Sequence, residues 1–297
     1  MRVLITGATG PIGVALVEIL QSRGDEILVL VNPDSNRLDA LDILGVSYVR
    51  CAMSDLGSFT AEGHFDVFIH MAWNGGGRRY DLGPNIASLQ CSIDALELAA
   101  ELGCHTFIST GSQAEVGFTS SLITEHTACN PTTIFGAAKL AFHHMAEIRA
   151  QSLGVRYVNA RIFSIYGPSD RKDSMISYCL TTLMAGKIPR LSSCNQIWNF
   201  LFSYDCASAI VALVDCGHCN GVYCLGSNEN IVLREYVAVI ETTFGLEIGT
   251  LPCDTDDQVS APNSIRCDPS RIQSETGWKP ITSFEEGIRR TILDLRG

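Results

Sequence analysis

The chain has 297 residues, of which 46% are hydrophobic, and its formal net charge is −11 at pH 7. This length suits one nucleotide-binding domain with a smaller partner domain, and the apolar fraction is sufficient for a sizeable core. The negative charge argues against a surface for nucleic acid or for an anionic membrane. We expect a cytoplasmic protein, since no apolar run is long enough to cross a membrane and the first residues predict a strand instead of a signal peptide.

The first thirteen residues predict a strand, a glycine turn and the start of a helix. The apolar run at residues 3–5 is typical of a buried parallel strand, and a helix is predicted over 14–21. Gly7 allows the tight turn between them, Gly10 lets the backbone approach a pyrophosphate, and Gly13 lets the helix pack close to the sheet. The free N–H groups at the helix start would then face the phosphates.

The loop TGATGPIG, residues 6–13, resembles the cofactor loop of the extended short-chain dehydrogenase/reductase superfamily. The resemblance implies an α/β fold of the Rossmann type, with a doubly wound parallel sheet and a smaller C-terminal α/β substrate-binding domain. The implied NAD(P)-binding domain comprises residues 1–167 plus 201–227, and the substrate-binding domain comprises 168–200 plus 228–297. Members of this branch act mostly on nucleotide-diphosphate sugars.

A second buried strand is predicted over residues 26–31, and its end determines the choice of cofactor. An acidic residue there binds the adenosine ribose and indicates NAD, whereas a nearby arginine accommodates the 2′-phosphate of NADP. This position holds Val31, and Asn32 and Arg37 follow as possible phosphate donors. Asp34 is the opposing observation. The pattern resembles NADP-binding relatives, so we expect NADP(H) in preference to NAD(H).

A third strand is predicted over residues 48–50, and residues 66–72 resemble the fourth strand of the family. In the family, the end of the second of these lies under the nicotinamide ribose. A basic, glycine-rich loop at residues 73–79 follows, and it either covers a ligand or is simply mobile. The resemblance assigns the following additional cofactor contacts along this part of the chain: Thr9, Pro11, Ile12, Met53, Met71, Ala72 and Trp73.

The fifth strand, predicted over residues 106–110, leads into the segment that carries the catalytic serine or threonine in the family. Ligands of open α/β sheets bind at this carboxyl end of the strands. The resemblance assigns the catalytic hydroxyl, which binds the reacting sugar oxygen, to Ser112. It also assigns a cofactor contact to Thr110 and a substrate contact to Gln113.

The family's Tyr-x-x-x-Lys motif is altered in this chain. In the family, the lysine binds the nicotinamide ribose and lowers the pKa of the tyrosine one helical turn away, which then acts as acid or base. Here Lys139 is present, as catalytic and cofactor-binding residue, but Phe135 stands at the tyrosine position. Phe135 keeps the predicted substrate contact and cannot exchange a proton.

Three interpretations of Phe135 stay open. The first is a substitution of tyrosine made to quench turnover and trap a complex. The second is an active enzyme whose proton comes from another group, and the third is a catalytically silent protein that binds cofactor or nucleotide. The candidate groups for the second interpretation are Ser112, Thr133, Tyr80, His143 and bound water.

Two long helices are predicted over residues 85–102 and 135–152, each with an apolar stripe on one face. In the family, such helices form a four-helix interface between two copies of the chain. We therefore expect a homodimer, and burial of both stripes within one chain is the alternative.

The sixth strand, predicted over residues 155–163, ends in a segment that resembles the R-x-F-N-x-Y-G-P signature of the extended branch. This resemblance places Phe163 at the cofactor and Ser164 at both cofactor and substrate, and it leaves Tyr166 as a packing residue. The motif around Trp198 resembles another family segment, R-D-F-x-x-V-x-D.

Three predictions concern the region after this strand. Arg190 is a candidate cation for the substrate diphosphate, and Asn199 is a candidate substrate contact because it occupies a position of the R-D-F motif. Asp205 is expected to cap the helix that runs through residue 214.

The chain contains twelve cysteines. Cys216 and Cys219 have the C-x-x-C spacing of a redox dithiol or of half a metal site. Because the sequence has no second C-x-x-C and no apparent signal peptide, we expect ordinary free thiols and no metal site.

These observations favour an NADP-dependent reductase of a nucleotide-linked 4-keto-6-deoxy sugar, with hydride transfer at sugar C4. Ser112 would donate to the keto oxygen, and Lys139 would act through the ribose and its charge. A 4-epimerase or 4,6-dehydratase runs the same hydride step, but a dehydratase is expected to show an Asp-Glu pair where this chain has Gln113 and Ala114. The contrasting class is a cofactor-sensing protein without turnover.

Overall fold

The computed structural model describes residues 1–74, 77–253 and 264–296. Strands and helices alternate along most of this part of the chain. The strands are β1 (Arg2–Thr6), β2 (Glu26–Val31), β3 (Ser47–Arg50), β4 (Val67–His70), β5 (Thr106–Ser112), β6 (Arg156–Ile162), β7 (Ser164–Tyr166), β8 (Ile197–Trp198), β9 (Phe200–Phe202), β10 (Gly221–Leu225) and β11 (Ile231–Val232). The helices are α1 (Pro11–Ser22), α2 (Asp39–Leu44), α3 (Leu82–Glu101), α4 (Ile134–Leu153), α5 (Met175–Met184), α6 (Ser203–Asp215), α7 (Leu233–Thr243), α8 (Ser270–Thr276) and α9 (Phe284–Arg296).

Seven parallel strands form the main sheet, in the order β10-β6-β5-β4-β1-β2-β3. From β1 the chain winds outward through β2 and β3, and it then returns to the other side of β1 to add β4, β5, β6 and β10. The winding direction therefore reverses between β1 and β4. Ligands of open α/β sheets bind in the crevice at such a reversal, beyond the carboxyl ends of the strands. The predicted doubly wound sheet is confirmed.

The core lies on both faces of this sheet. Val3 and Ile5 point into a cluster with α1 and α6, whereas Leu4 points into a second cluster with α3 and α4. All three side chains are fully buried, which explains why β1 has an uninterrupted apolar sequence. No helix in the described part of the chain is long and apolar enough to cross a membrane.

A third apolar cluster joins β9, α5, α7 and α9. Tyr166 is almost completely buried in this cluster, and its hydroxyl donates to the Phe284 carbonyl at 3.4 Å. The predicted packing role of Tyr166 is confirmed. The assignment of this region to a separate substrate-binding domain stays a prediction.

Asp205 does not cap a helix, so that prediction was wrong. It lies inside the first turn of α6, which begins at Ser203, and Phe202 occupies the capping position. The Asp205 carboxylate instead accepts from the backbone N–H groups of Ile281 and Thr282, at 3.3 and 3.0 Å. A tertiary contact with the segment before α9 therefore determines the role of this residue.

The prediction of free thiols at Cys216 and Cys219 was also wrong, because the two residues form a disulfide. Cys216 follows the last residue of α6, and the chain then turns so that the Cys219 N–H donates to the Cys216 carbonyl at 3.2 Å. This turn brings the two Cα atoms to 5.4 Å, within the range that a disulfide requires.

Candidate active site

The glycine turn between β1 and α1 has two positions that admit only glycine. Gly7 has φ +77°, and a Cβ there would lie 2.8 Å from the backbone of Met71 and Ala72, in the loop that follows β4. A Cβ on Gly13 would lie 2.4 Å from the Gly7 carbonyl oxygen. These glycines permit the tight turn and the close packing of α1 that the sequence predicts.

Gly10 differs from these two positions, because the surrounding protein leaves room for a Cβ atom. The nearest atom to a Cβ there is the Gly7 carbonyl oxygen at 3.5 Å, an ordinary contact. Gly10 precedes α1, and no side chain caps the N–H groups of that helix. An open glycine before uncapped N–H groups fits a pyrophosphate that approaches the backbone closely.

A cavity of about 440 Å³ extends from this turn to the loop after β2, and we call it the glycine-loop cavity. Val31, at the end of β2, is buried, while Arg37 lies exposed at the rim. The Asn32 side-chain oxygen accepts from the Asp34 N–H at 3.0 Å, which leaves the Asn32 amide as a donor. The predicted cofactor residues that line this cavity are Gly7, Thr9, Gly10, Asn32, Arg37, Met53, Met71, Ala72 and Trp73.

A second cavity of about 260 Å³ lies beside it, at the carboxyl end of β5, and we call it the Lys139 cavity. It shares the glycine turn and Trp73 with the first cavity, so the two are continuous along the sheet edge. The structure brings together seven further predicted site residues here: Pro11, Ile12, Thr110, Ser112, Phe135, Lys139 and Phe163.

Ser112 is held in place by a buried carboxylate. The Ser112 N–H donates to Glu115 Oε1 at 2.7 Å, and Ser112 Oγ accepts from the Ala114 N–H at 3.2 Å. Arg161 Nε donates to the other Glu115 oxygen at 3.1 Å, and Arg161 Nη2 lies 3.1 Å from the same oxygen in an ion pair. Both charged side chains are almost completely buried. Ser112 Oγ uses a lone pair to accept this hydrogen bond from the backbone. Its own hydroxyl proton therefore stays available to an acceptor in the cavity.

The role of Glu115 and Arg161 was not predicted from the sequence. A signal was present, since Ser112 and Glu115 have the S-x-x-E spacing of a capping box, which the structure forms in full. The partner Arg161 lies on β6 and meets Glu115 only because β5 and β6 are adjacent. Spacing along the sequence alone gives no indication of that pairing.

Lys139 has a nearly apolar surrounding. It is buried, and its Nζ donates to the Thr110 carbonyl at 2.7 Å and lies 4.0 Å from the centre of the Trp73 ring. Burial lowers the pKa of Lys139 to about 7, and the Glu115 carboxylate opposes this shift. An ammonium group has three protons, so two donor positions remain for a ligand.

Phe135 presents only carbon atoms to the cavity. Its ring meets Trp73 edge to face at a centroid distance of 6.0 Å, and its N–H donates to the Arg79 carbonyl at 3.0 Å. The preceding Thr133 caps α4, because its Oγ1 accepts from the Gly136 N–H at 3.0 Å. The helix is therefore anchored at the position where the family has its phenol.

Trp73 and the loop after it are fixed by one buried amide. Asn85 accepts from Trp73 Nε1 at 3.0 Å, and its amide donates to the carbonyls of Arg78 and Asp81 at 2.9 and 2.8 Å. Both ends of the predicted basic loop are thus attached to α3. Residues 75 and 76 of that loop lie outside the described part of the chain.

A third cavity, which we call the Tyr80 cavity, opens next to the second one. It contains the predicted substrate residues Gln113 and Ser164, together with the candidate proton donors Tyr80 and Thr133. Ser164 therefore lines the Tyr80 cavity, whereas the preceding residue, Phe163, lines the Lys139 cavity. His143 lines none of these three cavities, and burial lowers its pKa to about 4.

Two predicted substrate residues lie apart from these cavities. Asn199 is completely buried, and its amide donates to the Ser227 and Glu229 carbonyls at 3.0 and 2.9 Å. Arg190 is exposed, and its N–H donates to the Tyr178 hydroxyl at 3.1 Å. The structure gives Asn199 a role in holding the loop after β10, and the substrate contacts of both residues stay predictions.

The residues present fit a dinucleotide cofactor. The glycine turn has the shape for a pyrophosphate, and the buried Lys139 ammonium has two donors to offer to ribose hydroxyls.

Comparison with known proteins agrees with this geometry. The model of the NAD dependent epimerase/dehydratase family matches residues 3–226. The chain belongs to this family. The predicted membership of the nucleotide-sugar epimerase, dehydratase and reductase group is confirmed.

Proteins similar to this chain are named for three kinds of chemistry. The chain is 24% identical to an uncharacterized UDP-glucose epimerase, YtcB, from Bacillus subtilis, over 99% of this chain and 98% of that protein. It is 24% identical to the dTDP-4-dehydro-6-deoxyglucose reductase of Escherichia coli, over 99% and 97%. The fold matches the dTDP-glucose 4,6-dehydratase DesIV of Streptomyces venezuelae, solved with NAD, at a TM-score of 0.86 and 22% identity over 100% of this chain and 97% of that one.

Proposed function

We propose that the protein is an NADP-dependent reductase of a nucleotide-linked 4-keto-6-deoxy sugar. The observation that carries the cofactor preference is the end of β2, where Val31 is buried and Arg37 lies exposed at the rim of the glycine-loop cavity. An NAD-specific site would place a carboxylate there to bind the ribose hydroxyls. A cofactor that carries a 2′-phosphate finds a cation instead, although Asp34 also lines this rim.

The reductase activity is supported by the full-length similarity to the E. coli reductase. It is also supported by the residues after Ser112, since Gln113 and Ala114 replace the acidic pair expected of a dehydratase. When bound, the nicotinamide supplies a hydride to the sugar carbonyl carbon. The Ser112 hydroxyl then donates a hydrogen bond to the carbonyl oxygen, where negative charge develops. Phe135, Trp73 and Phe163 present apolar walls that limit water in the Lys139 cavity.

The cofactor preference is tested with Arg37→Gln. A hydrogen bond to a charged group contributes about 1.5–3 kcal/mol, so this change should weaken NADPH binding by about 10- to 100-fold. NADH lacks the 2′-phosphate, and its affinity is the internal control, which should stay within about threefold. Equal losses for NADPH and NADH, or no loss for either, would contradict the proposed role of Arg37.

A nucleotide-sugar 4-epimerase is the second candidate, because the similarity to the B. subtilis UDP-glucose epimerase also spans both chains. An epimerase oxidises and then re-reduces its substrate, so it retains its cofactor. Identification of the nucleotide released from purified protein separates the candidates: slowly exchanging NAD(H) favours the epimerase, whereas exchangeable NADP(H) favours the reductase. Binding of either cofactor without turnover of any sugar would favour a sensor.

We also propose that the protein forms a homodimer through α3 and α4. These helices pack side by side and leave apolar side chains on their outer face. Ile86 and Met145 are 51% exposed, and Ile148 is 73% exposed. Burial within one chain therefore accounts for only part of the two predicted stripes.

A further inference from the structure

Reduction of a ketone requires a proton as well as a hydride, and Phe135 cannot supply one. The replacement donor must reach the Lys139 cavity, where the hydride acceptor would bind. Among the described residues that line this cavity, Lys139 is the one side chain with an ionisable group. The hydroxyls of Ser112 and Thr110 can pass a proton on, but they are too weakly acidic to be its source at neutral pH.

The Lys139 ammonium has no carboxylate partner within the described chain. The nearest candidate, Glu115, is already engaged by Arg161 and by the Ser112 N–H. One ammonium proton goes to the Thr110 carbonyl, and the Trp73 ring covers a face of the group at 4.0 Å. Both contacts favour the cation, but they replace only part of the hydration that burial removes, so the ammonium gives up a proton more readily than one in water.

Phe135 contributes to this setting. A tyrosine hydroxyl at this position would add a polar neighbour on the same helical face as Lys139, whereas the phenylalanine ring and Trp73 form an apolar wall. The change that removes the family's acid therefore favours the neutral form of the lysine. A pKa of about 7 for Lys139 is consistent with this geometry.

We propose that Lys139 is the proton donor of this protein, in place of the absent tyrosine. The proposal rests on the reductase function proposed above. The Nζ–H bond breaks, its electron pair stays on nitrogen, and the proton forms a bond with the sugar keto oxygen, directly or across one hydroxyl or water. The carbonyl π pair would move to that oxygen as the carbon accepts the hydride that a bound reduced nicotinamide would supply. The neutral amine regains a proton from water after the product leaves.

The first test measures the acidity of Lys139 without turnover. Competitive acetylation with acetic anhydride between pH 6 and 11, followed by peptide mass spectrometry, reports the neutral fraction of each lysine amine. The reactivity of Lys139 should rise with a midpoint near pH 7–8, and the exposed Lys279 serves as the reference amine. A Lys139 midpoint above about 9.5, near that of a free lysine, would overturn the proposal.

The second test uses Lys139→Arg, which keeps the cation but cannot release its proton. NADPH affinity, measured by fluorescence, reports any change in the ribose contact of residue 139, and turnover at saturating NADPH should fall by about 10²–10⁴-fold, the contribution of a general acid. Lys139→Arg combined with Phe135→Tyr should recover turnover, because the phenol brings its own proton. A merely structural lysine would not be rescued in this way. Lys279→Arg is the matched control.

Three outcomes would overturn the proposal, and they differ in whether the proposed reductase function survives. If Lys139→Arg turns over normally while Tyr80→Phe does not, the proton comes from Tyr80. If the chain with Phe135 is inactive but Phe135→Tyr is active, the reductase chemistry stands and Lys139 is not a donor. If no variant oxidises NADPH with any keto sugar, the reductase function itself fails, whatever the labelling midpoint of Lys139.

Discussion

Removal of the buried lysine should stabilise the fold at neutral pH. Burial lowers the pKa of Lys139 from its ordinary 10.5 to about 7. At about 1.4 kcal/mol per pKa unit, the buried cation costs at most about 5 kcal/mol of unfolding free energy. Lys139→Met removes this cost but also loses a hydrogen bond and a contact with Trp73, each about 1 kcal/mol. We expect a net gain of about 2 kcal/mol at pH 7, since water entering the cleft reduces the penalty.

The pH dependence gives this prediction its sign. Between pH 7 and 10.5 the unfolded chain binds more protons at Lys139 than the folded chain, so the stability of the chain with Lys139 rises with pH in this window. Below pH 7 both states are protonated and the full cost persists. The advantage of Lys139→Met should therefore shrink from pH 7 to pH 10.

Urea unfolding of both chains at pH 6, 7, 8.5 and 10 measures this difference. Because other groups titrate over the same range, the comparison is the difference between the two chains at each pH. Lys279→Met, at an exposed position, is the control and should change the unfolding free energy by less than about 0.5 kcal/mol at every pH. A constant difference in unfolding free energy between the chain with Lys139 and Lys139→Met from pH 7 to pH 10 would refute the reasoning.

Three further predictions follow from the geometry. Gly10→Ala should keep the melting temperature and weaken NADPH binding at least tenfold, whereas Gly13→Ala should lower the melting temperature, because only the second Cβ meets backbone within 3 Å; equal effects of both changes would contradict this assignment. Glu115→Gln leaves the buried Arg161 without a counter-ion and should cost about 3 kcal/mol in urea unfolding, so an unchanged midpoint would count against the ion pair. Ile148→Asp should convert a dimer to monomers in sedimentation velocity, and a natural chain that sediments as a monomer would refute the proposed interface.

The elements that the sequence predicted well depend on local pattern. The apolar run of β1, the glycine turn and the helix after it are encoded within about twenty consecutive residues, so spacing and residue type are sufficient. The boundaries were less accurate, since α1 begins at Pro11 and α3 begins at Leu82. Proline at the first helical position costs no hydrogen bond, which explains the earlier start of α1.

The site features that the sequence could not predict depend on contacts between distant segments. Glu115 meets Arg161 only through the pairing of β5 with β6. Lys139, on α4, meets Trp73 only because the loop after β4 lies beside that helix. Asp205 has the residue type of a helix cap, but a backbone segment about 76 residues later determines its position. Such contacts form only once the sheet is assembled, and the spacing of residues along the sequence does not predict them.

The central claim is tested most directly by NADPH oxidation, followed by absorbance, with a panel of nucleotide-linked 4-keto-6-deoxy sugars. The chain with Phe135 and the Phe135→Tyr variant are compared side by side, with NADPH binding measured separately. We predict that the chain with Phe135 oxidises NADPH with at least one of these sugars and forms the reduced sugar in equal amount. If both chains bind NADPH but neither oxidises it with any sugar, the protein is not a reductase of this class.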